Sequence, residues 1–131
     1  MKIHGKLEAD TVFVKALGLS DIRLMNNQQY PWLVLIPRVD HAIELTDLSQ
    51  QQQHQLMDEI NLCSKLLSVL YTPDKLNVAT LGNIVRQLHI HVVARYRSDP
   101  AWPSPVWGYP GTPYSPDNLK RTLTALESGL G

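Results

Sequence analysis

The chain has 131 residues, a hydrophobic fraction of 44%, and 12 Lys and Arg against 12 Asp and Glu, which predicts one globular domain and argues against wholesale disorder. Zero net charge argues against a stable nucleic-acid partner bound through a dense cationic surface, and the single cysteine excludes an intramolecular disulfide. Because no segment resembles a signal peptide or is apolar over a membrane-spanning length, we expect a cytoplasmic protein with no membrane partner.

The first part of the chain predicts three strands. β-branched residues favour a short strand over residues 11–15, and apolar segments at 21–25 and 32–36 flank a polar, turn-forming stretch at 26–31. The segment 32–36 is apolar at every position, which is typical of a central strand that is covered on both faces.

A long helix is predicted over about residues 49–71. Ser49 and Gln52 have the spacing of a capping box. Apolar residues then recur at steps of three and four, which predicts one buried face. The members of this face are Leu56, Ile60, Cys63, Leu67 and Leu70. We therefore expect Cys63 to be a small core residue rather than a nucleophile.

The second half of the chain predicts two more strands, at 76–80 and 87–96, and a weaker helix near 116–127. Six of the nine prolines fall between Pro100 and Pro116, so an irregular segment is expected there. The predicted class is α+β, with a mainly antiparallel sheet of about five strands, one long helix and a short C-terminal helix. Residues 1–97 would form the core, and the Pro/Trp-rich tail and C-terminal helix, 98–131, would pack on the same single domain.

The most informative segment is Gln87-Leu-His-Ile-His-Val-Val. Side chains alternate across a strand, so Leu88 and Ile90 would point to the helix, while Gln87, His89 and His91 would point to the opposite, water-facing side. Two neighbouring imidazoles are poorly explained as core filling.

Three interpretations of this pair follow from the residues alone. A neutral imidazole is a nucleophile toward phosphorus, and its neighbour can donate a hydrogen bond to the oxygens that gain charge. The pair could instead supply two zinc or iron ligands, or lie solvated on the surface. Further metal ligands are few: His4 falls in an expected frayed terminus and His54 on the polar face of the helix, which leaves His41, in the loop after Pro37, as a conceivable third ligand.

With these residues identified, the chain resembles the histidine triad (HIT) family. The signature of that family is His-φ-His-φ-His-φ-φ, where φ is apolar, and residues 87–93 match it at six of seven positions. The order of the other features also matches over residues 11–97: the apolar strand ending at Pro37-Arg38, the long helix, and then Asn77 and Gly82-Asn83 before the motif.

The resemblance implies a homodimer that needs no cofactor and acts on a nucleotide substrate, such as a nucleoside phosphoramidate or a dinucleoside polyphosphate. It implies that His89 attacks the α-phosphate to form a covalent nucleotidyl-histidine, with its other ring nitrogen donating to a backbone carbonyl, and that His91 contacts the phosphate oxygens or the leaving group. Nucleotide-binding positions carried over in the same way are Asn27 for the ribose, and Asn77, Gly82 and Asn83 for the phosphates.

The chain also departs from the family pattern. Gln87 stands where the first histidine belongs, and Pro31-Trp32 replaces a Gly-His pair. An amide keeps a hydrogen bond but takes up no proton near neutral pH, so the alternative function is a nucleotide-binding or sensing module with weak or no turnover. We expect Arg95 and Arg97 to form a solvated strand end.

Overall fold

A computed structural model describes residues 1–131 and contains a five-stranded antiparallel sheet with three helices. The strands are β1 (Thr11–Ala16), β2 (Ser20–Met25), β3 (Trp32–Pro37), β4 (Lys75–Ala79) and β5 (Ile90–Arg95), and the helices are α1 (Gly5–Asp10), α2 (Gln50–Tyr71) and α3 (Pro116–Leu130). The strands lie in the order β1-β2-β3-β5-β4. The predicted fold class is confirmed. None of the helices combines the length and apolarity needed to span a membrane.

The larger core lies between the sheet and the two longer helices. Leu33 and Leu35 of β3 and Ile90 and Val92 of β5 point to this side and pack with the buried residues of α2 and α3. The predicted capping box at Ser49 is present at the start of α2. Cys63 is wholly buried, and burial raises the pKa of its thiol to about 12.

The prediction that Leu70 lies on the buried face of this helix is wrong, because Leu70 is exposed. It lies in the last turn of α2, where the chain leaves the helix through Thr72 in a left-handed conformation. The buried face of α2 ends with Leu66 and Leu67.

The opposite face of the sheet is covered as well. Trp32, Val34 and Ile36 of β3 pack there with Leu7 of α1 and with Ala101 and Val106 of the tail. Alternation in β3 therefore serves two cores, which explains why the strand is apolar at every position. The water-facing surface expected on this side of β5 is instead an interior surface.

The helix α1 was not predicted from the sequence. His4, expected in a frayed terminus, is its N-cap, and its Nδ1 accepts a hydrogen bond from the backbone N–H of Lys6 at 3.1 Å. The element is only six residues long, and it is held by tertiary contact because Leu7 is buried in the second core.

Arg95 attaches the tail to the end of β5. Arg95 is 1% exposed, and its guanidinium donates to both carboxylate oxygens of Asp99, at 2.8 and 3.1 Å, and to the carbonyl of Ser104 at 2.8 Å. It lies over the rings of Tyr30 and Trp102. The expectation of a solvated Arg95 is wrong because the tail folds back over it, whereas Arg97 is exposed as expected.

The carboxylate of Asp99 organises the first turn of the tail. It accepts hydrogen bonds from the backbone N–H groups of Tyr96, at 3.0 Å, and Trp102, at 2.8 Å, in addition to those from Arg95. Burial alone would raise the pKa of Asp99, but these hydrogen bonds lower it below its usual range.

We predict that Asp99→Ala lowers the free energy of unfolding by about 3–5 kcal/mol, because it leaves the buried guanidinium of Arg95 without its counter-charge. Urea unfolding followed by tryptophan fluorescence measures this loss. The control is Asp10→Ala in the exposed Lys6–Asp10 pair, which should cost no more than about 1 kcal/mol. Similar losses in the two variants would contradict the prediction.

Candidate active site

The backbone of β5 and the residues before it set the position of the two histidines. His91 lies in β5 between Val34 of β3 and Ala79 of β4, and His89 immediately precedes the strand. Both rings point away from α2, as the alternation predicted, and lie with their centroids 4.9 Å apart at an interplanar angle of 76°. The two imidazoles can therefore act on one ligand.

The histidines are on the wall of a cavity of about 260 Å³. His89 is 5% exposed and His91 is 4% exposed. Residues of α1, the loop 81–85 and Trp107 of the tail form the rest of the wall. Both histidines are thus buried in the wall of this cavity, which excludes the interpretation as solvated surface histidines.

The ring of His89 is held by the main chain. Its Nδ1 lies 2.6 Å from the backbone carbonyl oxygen of Gln87. Since a carbonyl oxygen can only accept, Nδ1 carries the proton and donates it, and Nε2 keeps an unprotonated lone pair. This is the tautomer that a nucleophilic histidine requires.

The ring of His91 is held by a side chain, and here Nδ1 accepts the hydrogen bond instead of donating it. The indole N–H of Trp32 donates to Nδ1 of His91 at 3.0 Å. Nδ1 is therefore unprotonated, and the proton of the neutral ring is on Nε2. The rings of Trp32 and Trp107 both pack edge-on against His91, with centroids at 5.6 and 5.3 Å.

Burial keeps both imidazoles neutral. It lowers the pKa of His91 to about 3, with a further contribution from His89 beside it. Burial also lowers the pKa of His89, and His4 adds to this effect, although the hydrogen bond to the carbonyl of Gln87 opposes it. Both rings are thus able to bind as neutral groups at physiological pH.

Gln87 does not contact the histidine rings through its side chain. Its Oε1 accepts from the backbone N–H of His4 at 2.7 Å, and its Nε2 donates to the carbonyl of Lys2 at 3.3 Å. The residue at the first triad position therefore attaches the N-terminal arm (residues 1–5) to the start of β5. Its main-chain carbonyl, which any residue supplies, orients His89.

The four other predicted site residues lie in different places. Asn83 lines the histidine cavity, next to the exposed Gly82. Asn77 instead accepts a hydrogen bond from Arg95 at 2.8 Å. Asn27 is buried, and its side-chain oxygen accepts from the backbone N–H groups of Gln29 and Thr112, so that it stabilises a turn and the returning tail.

Asn27 also borders a second space next to the histidine cavity, and the two spaces share the side chain of Trp107. Gly111 of the tail passes so close that a Cβ atom there would lie 2.8 Å from Nδ2 of Asn27. The structure therefore brings Asn83 to the histidines, Asn27 to the adjoining space, and leaves Asn77 in the network around Arg95.

The site offers few side chains that could coordinate a metal ion. No group of three His, Cys, Asp or Glu side chains is close enough together to bind one ion, whereas zinc sites in proteins usually have three or four such ligands. The two histidines are engaged through one nitrogen each, with a carbonyl and an indole.

Two residues of the site were missed or only partly understood from the sequence. The sequence predicts Trp32 only as a member of an apolar strand, although a buried indole N–H usually has a hydrogen-bond partner. Trp107 lies in the segment that the sequence predicts to be irregular, and its ring packs against His91. Its own Nε1 is buried without a hydrogen-bond partner.

Comparisons with known proteins agree with this architecture. A sequence model described as the HIT domain matches residues 6–98. The structure is similar to that of a histidine triad protein from Bradyrhizobium japonicum, with a TM-score of 0.96, 40% sequence identity, and coverage of 99% of this chain and 98% of that chain.

It is also similar to a histidine triad protein from Marinobacter aquaeolei VT8, with a TM-score of 0.96, 41% identity, and coverage of 98% and 95% of the two chains. A HIT protein from Sinorhizobium meliloti 1021 has a TM-score of 0.95, 36% identity, and coverage of 98% and 96%. A comparison with curated proteins found no match.

We predict that the free energy of unfolding falls as the pH is lowered below about 6.5. In that range the unfolded chain protonates His91 while the folded chain, with the lowered pKa of about 3, does not, so the unfolded state binds more protons and stability rises with pH. The loss by pH ~4 should be on the order of a few kcal/mol.

Urea unfolding at several pH values measures this slope. His91→Gln should flatten it, whereas His54→Gln, on the exposed side of α2, should leave it as in the parent chain. A slope that is the same in all three chains would show that His91 is not held neutral by the fold.

Proposed function

Because the chain belongs to the HIT (histidine triad) family, we propose that it is a nucleotide hydrolase or nucleotidyl transferase that acts at an α-phosphate through His89. The observation that carries the proposal is the unprotonated Nε2 of His89, left free by the 2.6 Å hydrogen bond from Nδ1 to the carbonyl of Gln87, on the wall of a cavity of about 260 Å³. Nucleoside phosphoramidates and dinucleoside polyphosphates are the proposed substrates.

In the first step, the lone pair of His89 Nε2 attacks the α-phosphorus, and the bond from phosphorus to the leaving group breaks with its electron pair on that group. The nucleotidyl-histidine formed is then attacked by water, which loses a proton to solvent, and His89 departs with the electrons of the N–P bond. Two easier displacements thus replace one difficult one.

His91 supplies a hydrogen bond in both steps. Its Nε2–H can donate to a phosphate oxygen as negative charge accumulates there, and the covered cavity strengthens that interaction because little water competes. Asn83 and the backbone near Gly82 are the proposed phosphate contacts on the loop that closes the cavity. Asn77 would act indirectly, through Arg95.

One observation favours a second candidate function, a nucleotide-binding or sensing module. His89 and His91 are almost fully buried, and residues of α1 and Trp107 line the same cavity, so a ligand could be held between these walls with little turnover. The presence of glutamine at position 87 is a weaker argument for the sensing module, because the Gln87 side chain binds the N-terminal arm and does not contact a histidine ring.

We predict that the protein forms a nucleotidyl adduct on His89 and that His89→Ala abolishes turnover without unfolding the chain, because the unprotonated nitrogen of the other imidazole, Nδ1 of His91, is occupied by the indole N–H of Trp32. The purified protein is mixed with adenosine phosphoramidates and diadenosine polyphosphates, with and without chelator, and its intact mass is recorded after an acid-free quench. Loss of activity should be at least about 10³-fold.

The matched control is His54→Ala, which removes an exposed histidine of α2 and should retain both adduct and turnover. Binding without adduct or product would support the sensing module instead. Activity that the chelator abolishes would contradict the metal-free mechanism, and full activity in His89→Ala would remove the nucleophile.

We also propose that the chain forms a homodimer through β4, as its family membership suggests. β4 is an edge strand whose outer side has no partner strand, and Val78 on it is 49% exposed. Such an edge offers free backbone groups for pairing with a second copy. The other edge, β1, is bulged near Phe13 and is contacted by α1 and α3.

We predict that Val78→Lys converts the dimer to a monomer, because it places a charge at the proposed contact. Light scattering after size-exclusion chromatography measures the molar mass. Phe13→Lys, at the other edge of the sheet, is the control and should leave the dimer intact. A monomeric parent chain, or a dimer that survives Val78→Lys, would exclude this interface.

A further inference from the structure

The histidine cavity adjoins a larger space between α1 and the tail, which we call the α1–tail space. It has a volume of about 600 Å³. A further cavity, of about 580 Å³ beside the N-terminal arm, has no lining residue in common with the histidine cavity. The α1–tail space shares four lining residues with it: Lys6, Asp10, Met25 and Trp107. Of the two larger spaces, the α1–tail space is therefore the one into which a ligand at His89 can extend.

The order of groups in a nucleotide puts the ribose at the junction of the histidine cavity and the α1–tail space. Under the proposed function the α-phosphorus lies at Nε2 of His89, and the ribose is bonded to that phosphate through its 5′ oxygen. The base follows the ribose and would enter the α1–tail space, whose wall contains the aromatic side chains of Trp32, Trp107 and Tyr109. The ribose would then lie among the residues that line both spaces.

The two asparagines that line the α1–tail space are already engaged by the chain itself. Oδ1 of Asn27 accepts from the backbone N–H groups of Gln29 and Thr112, at 3.1 and 3.3 Å. Oδ1 of Asn26 accepts from the backbone N–H of Tyr114 at 2.9 Å. A ribose hydroxyl would have to compete with these backbone groups for either oxygen.

Asp10 is the acceptor that remains available at the junction. It is the one carboxylate that lines either space, and its side chain is 45% exposed, so a ligand can reach it. Its Oδ2 binds the ammonium of Lys6 at 2.9 Å, which leaves Oδ1 without a partner in the protein. Its backbone carbonyl accepts from the N–H of Asn26 at 3.0 Å, which fixes the end of α1 beside the turn after β2.

Building on the proposed function, we infer that Asp10 binds the ribose of the nucleotide, with Oδ1 accepting hydrogen bonds from the 2′ and 3′ hydroxyl groups. A ribose presents two neighbouring O–H donors, and a carboxylate is a stronger acceptor for them than an amide because it is charged. Lys6 is a positioning residue in this arrangement, since its ammonium holds Oδ2. The ribose contact that the family resemblance gives to Asn27 belongs in this chain to a residue of α1.

The test compares AMP with 2′,3′-dideoxy-AMP, which has the same base and phosphate but neither hydroxyl group. Isothermal titration calorimetry measures the dissociation constant of each nucleotide. The parent chain should bind AMP at least about 10-fold more tightly than the dideoxynucleotide, the size of the effect of a hydrogen bond to a charged group. In Asp10→Ala this ratio should fall to about 2-fold or less, because no charged acceptor remains. Asp10→Asn keeps an uncharged acceptor and should give a ratio between these two values.

The ratio of the two dissociation constants identifies the contact, whereas the affinity for AMP alone does not. Removing Asp10 also frees the ammonium of Lys6 and takes a negative charge away from the phosphate, and both changes act equally on the two nucleotides. Glu8→Ala is the matched control, because it removes an exposed carboxylate of α1 that lines neither space. It should leave the ratio as in the parent chain.

Asp10→Ala is expected to fold, because its exposed ion pair contributes little to stability, and urea unfolding verifies this before the titrations. Equal affinities for the two nucleotides in the parent chain, or a preference for AMP that survives in Asp10→Ala, would overturn the inference, while the nucleotidyl adduct on His89 would still support the proposed function. A parent chain that neither binds AMP nor forms the adduct would overturn both.

Discussion

The histidine cavity depends on the buried ion pair between Arg95 and Asp99. Arg95 ends β5, four residues beyond His91 and on the same face of the sheet. Arg95 is 1% exposed, and a buried guanidinium is stable only when its charge and its hydrogen-bond donors are satisfied. The tail supplies the carboxylate of Asp99 and the carbonyl of Ser104, and so it must return across the sheet. That return places Trp107 against His91, so that this face of β5 is buried beside the cavity rather than open to solvent.

The two histidines are buried in the same cavity wall, but their rings carry the proton on different nitrogens. Burial lowers the pKa of both imidazoles, so both rings remain neutral at physiological pH. Their tautomers are then set by unlike partners: a carbonyl that accepts from His89 and the indole of Trp32 that donates to His91. One ring presents a lone pair and the other a proton to the same cavity, which is the division of labour that attack on a phosphoryl group requires.

The sequence predicts those parts of the fold that local residue patterns determine. The capping box and apolar periodicity of α2, the doubly covered β3 and the orientation of His89 and His91 were all predicted correctly, because they depend on residues close together in the chain. The short helix α1 and the burial of Arg95 and the histidines were not. Each depends on contacts between segments far apart in sequence, such as the one that places Leu7 of α1 in the second core, and no local pattern encodes those distances.

Gln87 illustrates why a missing histidine need not remove a site. The orienting contact to His89 comes from the carbonyl of residue 87, so it survives any substitution of the side chain. The side chain is then free to bind His4 and Lys2, and through them it attaches the N-terminal arm beside the site. The arm leads into α1, whose Lys6 and Leu7 form part of the cavity wall. The side chain of Gln87 thus acts at a distance from the two rings, by attaching the segment that leads into the cavity wall.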